Sequence, residues 1–313
     1  MNTMNNFLKM LQDKSHILAD GATGTNLFGM GLETGDPPEP WNIDHKDRIR
    51  SLHQGFVDAG SDLFLTNSFG GTSYRLKLHN LEKRVFELNK AAGVIAREVA
   101  DQADRLVIVA GSMGPTGEMI EPHGLMTPRE ATDAFRAQAE GLAEGGADVL
   151  WLETMYAMEE LEAAMEAVKD IGLPVCATMS FDTAGKTMMG ITPSNLAKRS
   201  QDLNLSGFGA NCGIGAPDLL ATINVISKNV NSKIIECVGP EIITFRQIIE
   251  KLLILIGKKR MLIPFPLKGS GFLNERIFAA AAPNFSLLML VNLIKFCFGH
   301  SIFTSVGISK LIS

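Results

Sequence analysis

The chain is poor in cysteine, with four in 313 residues at positions 176, 212, 237 and 297, no two adjacent and no regular spacing. That scarcity excludes the disulfide framework of a small secreted domain and points to a reducing compartment, so a cytoplasmic protein is expected. Lys and Arg never form a long run and the formal charge is -5, so there is no electrostatic footprint for nucleic acid. Residues 1–14 are polar and mixed in charge and contain no apolar core of signal-peptide length, so nothing there directs export. A dinucleotide fingerprint is missing as well, because Gly21-Ala22-Thr23-Gly24 does not match Gly-x-Gly-x-x-Gly. The glycine-rich stretch 111–117 could cradle a phosphate or carboxylate on backbone N–H groups, but it has no P-loop lysine, which argues against a nucleoside triphosphate. His45, His53, His79 and His123 fall on polar loops or helices without ligand spacing, so no histidine zinc site is readable.

What is present is a 46% hydrophobic chain long enough to bury a large core, as one α/β barrel or as two smaller domains. Short apolar runs at 16–19, 62–66, 106–110, 148–152, 174–179 and 207–210 alternate with amphipathic stretches, the βα beat of a parallel sheet. Residues 131–144 carry apolar positions Ala134, Phe135, Ala137 and Leu142 at helical spacing, and residues 158–168 carry Leu161, Ala164 and Met165. Gly145-Gly146 and Gly172 are expected to stop those helices.

Small and polar residues follow the expected strands: Asp20-Gly21 after the first, Asn67-Ser68 after the second, Ser112 after the third, Glu153-Thr154 after the fourth, Asn211-Cys212 after the sixth. In a (β/α)₈ barrel that end of the sheet forms the mouth where ligands bind. Asp20 could equally cap a helix before its glycine turn. Glu153, directly behind the apolar run Val149-Leu150-Trp151-Leu152, needs a cation or a donor if it is buried. Cys212 would be a small buried hydrophobe by default, but its glycine and Asn211 neighbours place it at the mouth, whereas Cys176 sits within an apolar run and reads as packing.

Five ordered segments together resemble the homocysteine S-methyltransferase family: Asp20-Gly21-Ala22-Thr23-Gly24-Thr25, Thr66-Asn67-Ser68-Phe69-Gly70-Gly71, Gly111-Ser112-Met113-Gly114-Pro115-Thr116-Gly117, Trp151-Leu152-Glu153-Thr154 and Gly209-Ala210-Asn211-Cys212-Gly213. Residues 179–190 further resemble bacterial betaine-homocysteine methyltransferases, and the likeness runs over about residues 10–223. It implies a (β/α)₈ TIM-type barrel and methyl transfer from betaine or a similar donor to homocysteine, forming methionine. It also implies zinc: a thiol of pKa roughly 8.5 is a poor nucleophile until a metal deprotonates it. By motif, Cys212 matches a zinc ligand, and Asp20 and Glu153 match carboxylates that hold homocysteine, Glu153 on its ammonium group. Backbone groups around Gly21, Ser112 and Thr154, with Asn211, would bind the amino-acid end.

The family's other two zinc ligands are an adjacent cysteine pair in a glycine-rich segment, and this sequence has no Cys-Cys pair. From about residue 224 the chain instead resembles the C-terminal segment of extended short-chain dehydrogenase-like proteins related to an accessory subunit of respiratory complex I, on 233–246 and 257–266. The expected organisation is therefore a truncated barrel of about six βα units over residues 1–223, then an unrelated segment over 224–313. Residues 233–238 could add a seventh strand, since Ile234, Ile235 and Val238 favour β structure. Residues 277–294 are free of charge, but Pro283, Asn284, Ser286 and Asn292 interrupt them, so a buried or surface-associated hydrophobic helix is expected rather than a membrane span. An alternative to the enzyme is an inactive hybrid or pseudoenzyme, a product of gene fusion or of sequence assembly.

Overall fold

The computed structural model describes residues 5–14, 17–213, 215–229, 263–265 and 277–279. The chain divides into two compact units, Met1–Val238 and Gly239–Ser313.

In the first unit, helix α1 (Asn6–Asp13) is capped by the Asn5 side chain, which accepts the Phe7 N–H. Nine further helices follow among the described residues: α2 (Thr23–Gly29), α3 (Trp41–Asp44), α4 (Lys46–Asp58), α5 (Ser73–Lys77), α6 (Val85–Gln102), α7 (Pro128–Glu144), α8 (Met158–Val168), α9 (Pro193–Asp202) and α10 (Ala216–Lys228). Both α7 and α9 begin with a proline at the first turn and a reciprocal capping box, Thr127 with Glu130 and Thr192 with Asn195. Helix α7 stops at Glu144 and Gly146 takes φ 96°, so the expected glycine stop is found.

Five parallel strands, β1 (Leu63–Leu65), β2 (Ile108–Met113), β3 (Val149–Met155), β4 (Val175–Met179) and β5 (Gly207–Ala210), lie side by side in sequence order. A parallel bridge from Ala19 to Leu63 adds a sixth position beside β1. Every crossover advances the sheet in the same direction, with none of the reversal that defines a doubly wound sheet. Each of the six positions is followed by a long helix, in turn α4, α6, α7, α8, α9 and α10.

The period of two along the strands sorts their side chains. Leu63, Ile108, Ala110, Val149, Trp151 and Cys176 share an interior cluster with Phe7 and Met10 of α1. The alternate residues Leu150, Leu152, Ala177 and Met179 pack instead with Phe135, Leu142, Leu161 and Leu196 of the surrounding helices. Asn5 donates to the Asp148 carbonyl and Lys14 pairs with Asp62 at 2.5 Å, so α1 is tied to the N-terminal ends of β3 and β1 and stoppers the interior there.

Strands β2 and β3 run three residues beyond the apolar stretches that announce them, so Ser112, Glu153 and Thr154 belong to strand ends rather than to loops. Hydropathy stops at Ala110 and Leu152 because the interior becomes a polar mouth there, while the backbone ladder, which is indifferent to side-chain polarity, continues.

The described part of the second unit is a short antiparallel ladder of β6 (Ile263–Phe265) and β7 (Ile277–Ala279). The expected hydrophobic helix over 277–294 thus begins as strand, and its remainder lies outside the described residues, as do the candidate strand 233–238, Cys237 and Cys297. Among the described residues no helix is long and apolar enough to cross a membrane.

Candidate active site

A cavity of about 590 Å³ opens at the C-terminal ends of the strands. Asp20, Ser112, Glu153, Thr178, Asn211 and Cys212 supply its polar wall, and Phe208, Leu219 and Ile223 an apolar one. The sequence motifs from five separate strand ends therefore converge on one space, with Gly21 at its rim. No Lys, Arg or His lines it among the described residues.

Strand β3 aims Glu153 through an irregularity. Leu152 pairs with Ala177 and Met155 with Met179, so two residues of β3, Glu153 and Thr154, stand opposite one residue of β4. The extra residue is a β-bulge, a device that re-aims side chains beside active sites. Thr154 takes φ 60°, a left-handed conformation unfavourable for a β-branched residue, and Cys212 takes φ 56°. Asn211 holds both: its Oδ1 accepts the Thr154 N–H at 3.1 Å, and its Nδ2 donates to Thr154 Oγ1 at 2.7 Å and lies 3.5 Å from Cys212 Sγ. Thr154 Oγ1 lies 3.8 Å from the same sulfur. The Cys212 thiol is exposed, whereas Cys176 is buried in the interior cluster.

The two carboxylates are poorly compensated. Burial pushes the Asp20 carboxyl up to about 8, against a lowering by the Leu65 N–H that it accepts at 3.0 Å, and the nearby Glu153 charge raises it further. Glu153 is also raised by burial, opposed by the hydroxyl of Ser112, which donates to its Oε1. Two acids with raised affinity for protons and no protein cation beside them among the described residues offer an environment that a cationic group would complement.

Several backbone donors expected to face a ligand are already spent inside the protein. Ser112 N–H goes to Thr66 Oγ1, Gly114 N–H to the Phe69 carbonyl, Thr116 N–H to Glu160 and Thr154 N–H to Asn211. The stretch 111–117 is thus a braced strand end rather than an open anion cradle. His53 also differs from its expected polar setting: it lies on α4 but is fully buried against Phe64, with neither ring nitrogen hydrogen-bonded.

Sequence reasoning quoted Thr66 and Ser68 without giving them a role and passed over Gln138 and Glu39. Gln138 is fully buried on the packed face of α7 and donates to the Ser68 carbonyl at 2.7 Å, while Glu39 accepts the Gly70 N–H at 2.7 Å. A polar residue within the apolar stripe of α7 was the available signal for Gln138. Nothing local marks Glu39, whose partner lies 31 residues away.

The family profile of homocysteine S-methyltransferases matches residues 17–242. The chain belongs to the homocysteine S-methyltransferase family. Among its relatives, the methionine synthase of Mycobacterium leprae (strain TN) is 29% identical over 228 residues, 68% of this chain and 19% of that protein. The methionine synthase of Mycobacterium tuberculosis (strain ATCC 25618 / H37Rv) is 28% identical over 228 residues, with the same coverage of 68% and 19%. The chain thus spans 19% of the length of these curated relatives. Among solved structures, the homocysteine methyltransferase MmuM from Escherichia coli in its metallated form superposes with a TM-score of 0.63 at 21% identity, covering 71% of this chain and 83% of that one. The oxidized form of the same enzyme gives 0.63 at 23% identity, covering 72% and 83%. The fold is therefore of that TIM-barrel type.

The zinc that the family implies was tested against the side chains at this site. Among the described residues no group of three His, Cys, Asp or Glu side chains stands close enough to hold a metal ion, and of the two cysteines lining the cavity Cys212 is exposed and Cys176 buried. Tight structural or catalytic zinc takes three or four protein ligands, so one thiolate flanked by a hydroxyl and an amide does not fit.

Proposed function

We propose that the cavity binds homocysteine and that the chain carries the acceptor-binding part of an S-methyltransferase, acting with betaine or a similar small methyl donor. The observation that carries this reading is the pair Asp20 and Glu153, half-buried together in a cavity with no protein cation among its described lining residues. An α-ammonium group supplies the missing charge, and with it seated there the homocysteine sulfur reaches toward the exposed Cys212 and Thr154 end of the mouth. Methyl transfer then requires that the thiol lose its proton to solvent at the open mouth and that its electron pair form the new S–CH₃ bond while the donor keeps the pair of the broken bond. The open side of the cavity admits the donor in line with that displacement.

A second reading, a homocysteine-binding module without turnover, is favoured by the absence of any Cys-Cys pair from the sequence. In both readings residues 1–223 form the methyltransferase part and 224–313 a segment of different origin. Calorimetry with homocysteine, with and without added zinc, beside a proton NMR assay for methionine with betaine, dimethylsulfoniopropionate or methyltetrahydrofolate offered separately, decides between them. Binding with methionine formation supports the enzyme. Binding without methionine under all conditions supports the module, and no binding at all removes both.

A further inference from the structure

The segment Thr66-Asn67-Ser68 follows β1 and is buried. The last backbone rung between β1 and β2 is Thr66 N–H to the Ala110 carbonyl at 2.9 Å. Beyond it the ladder passes to side chains. Ser112 N–H donates to Thr66 Oγ1 at 3.0 Å, Thr66 Oγ1 and Ser68 Oγ lie 2.6 Å apart, and Ser68 Oγ donates to the Ser112 carbonyl at 2.7 Å. A carbonyl only accepts, so the single Ser68 proton is committed to it, and Thr66 must be the donor in the hydroxyl pair. Each hydroxyl then donates once and accepts once, and the three bonds form a closed ring around the peptide groups of Ser112. Gln138 Nε2 braces the ring from α7, donating to the Ser68 carbonyl at 2.7 Å and the Ser112 carbonyl at 3.3 Å.

With its backbone fixed on both sides, Ser112 has its hydroxyl left to give, and it gives it to Glu153 Oε1. Among the described residues that is the hydrogen bond opposing the desolvation of Glu153. We propose that Thr66 and Ser68 are positioning residues, whose ring of hydrogen bonds on Ser112 holds its hydroxyl against Glu153 and so sets the direction and charge of that carboxylate in the cavity. The consequence for homocysteine rests on the functional reading above. The ring and its effect on Glu153 do not, because they exist in the ligand-free protein.

The test is therefore made without ligand. The carboxyl of Glu153 is followed by ¹³C NMR in the full chain labelled at glutamate Cδ, with Glu153→Gln identifying the signal, across pH in wild type, Thr66→Val, Thr66→Ser, Ser68→Ala and Ser112→Ala. Loss of the aimed donor raises the Glu153 midpoint, by about half a unit to one unit in Thr66→Val and Ser68→Ala and at least as much in Ser112→Ala. Thr66→Ser, which keeps the hydroxyl, restores the wild-type midpoint. Adding Thr66→Val to Ser112→Ala moves it no further, because the effect travels through Ser112. A purely structural role predicts lower thermal midpoints with the Glu153 titration unchanged, and that result overturns the proposal. An equal, additive shift in the double variant overturns it too. If Thr66→Val does not fold, Ser68→Ala with Thr66→Ser carries the same comparison. A failure of wild type to bind homocysteine in the separate binding assay sinks the functional reading and leaves this result standing.

Discussion

On the proposed reading, Asp20 is a carboxyl whose protonation would couple homocysteine binding to pH. Its value near 8 means that it is mostly protonated at neutral pH in the ligand-free protein, and a bound ammonium group has to displace that proton. Homocysteine affinity measured by calorimetry should therefore rise as pH increases toward 8, and the reverse trend would contradict the role given to Asp20. Asp20→Asn should flatten that dependence and weaken binding by about 10- to 100-fold, the equivalent of losing a charged hydrogen bond of roughly 1.5–3 kcal/mol. The same group acts on stability with a definite sign. A folded value above the unfolded 3.8 means the native state holds the extra proton, so the contribution of Asp20 to stability is present at low pH and is lost as pH rises through the window from about 4 to 8. His53 acts oppositely. Burial lowers it from 6.5 to about 3, so it costs stability as pH falls from 6.5 toward 3, when the unfolded chain takes a proton that the native state refuses. His53→Leu should raise the thermal midpoint at pH 5 more than at pH 8, because it removes two unpaired buried nitrogens as well as the titration. An equal shift at both pH values would show that only the unpaired nitrogens matter.

At the scale of elements, the bulge in β3 and the loop after β5 meet through one side chain. Asn211 satisfies the Thr154 N–H and hydroxyl together, so Asn211→Ala should cost about 1–3 kcal/mol of stability by denaturant unfolding and free the Thr154 and Cys212 ends of the mouth. Thr154 and Cys212 were legible as candidates because they follow apolar runs, but the bulge was not, since no residue type in Trp151-Leu152-Glu153-Thr154 announces an inserted position. The turn after β1 carries another demand invisible in its own sequence. A Cβ on Gly71 would collide with the Asn89 and Gln138 side-chain amides, which belong to α6 and α7. Gly71→Ala should therefore destabilise the fold and loosen the Gln138 brace, seen as a lower thermal midpoint with a lowered response to Ser68→Ala. Of the helix limits, the glycine stop was read in the sequence and the Thr127 and Thr192 capping boxes were not. The Thr127 and Thr192 boxes and the glycine stop after α7 are local hydrogen-bonding and φ requirements, which the residues concerned satisfy among themselves.

For the whole molecule, the donor set governs what chemistry is open to it. With Cys212 the one exposed thiol among the described residues and no Cys-Cys pair in the sequence, purified protein should retain less than about a tenth of an equivalent of zinc after dialysis, and chelator should leave its thermal midpoint unchanged. Stoichiometric zinc by elemental analysis, abolished by Cys212→Ser, would overturn that expectation and restore the family's metal chemistry to this chain. The sequence by itself determined the parallel βα architecture, the helix ends and the positions of Asp20, Ser112, Glu153 and Cys212, because hydropathy period, caps and glycine stops are satisfied within a few residues of where they are written. Tertiary structure alone decided that these residues share one cavity, that Asp20 and Glu153 there have no protein cation among the described lining residues, that Thr66 and Ser68 close on Ser112, and that His53 is buried. Those outcomes depend on which strand ends lie side by side. Thr66 meets Ser112 across 46 residues and Thr154 meets Asn211 across 57, and desolvation is a property of the enclosed space rather than of any one segment.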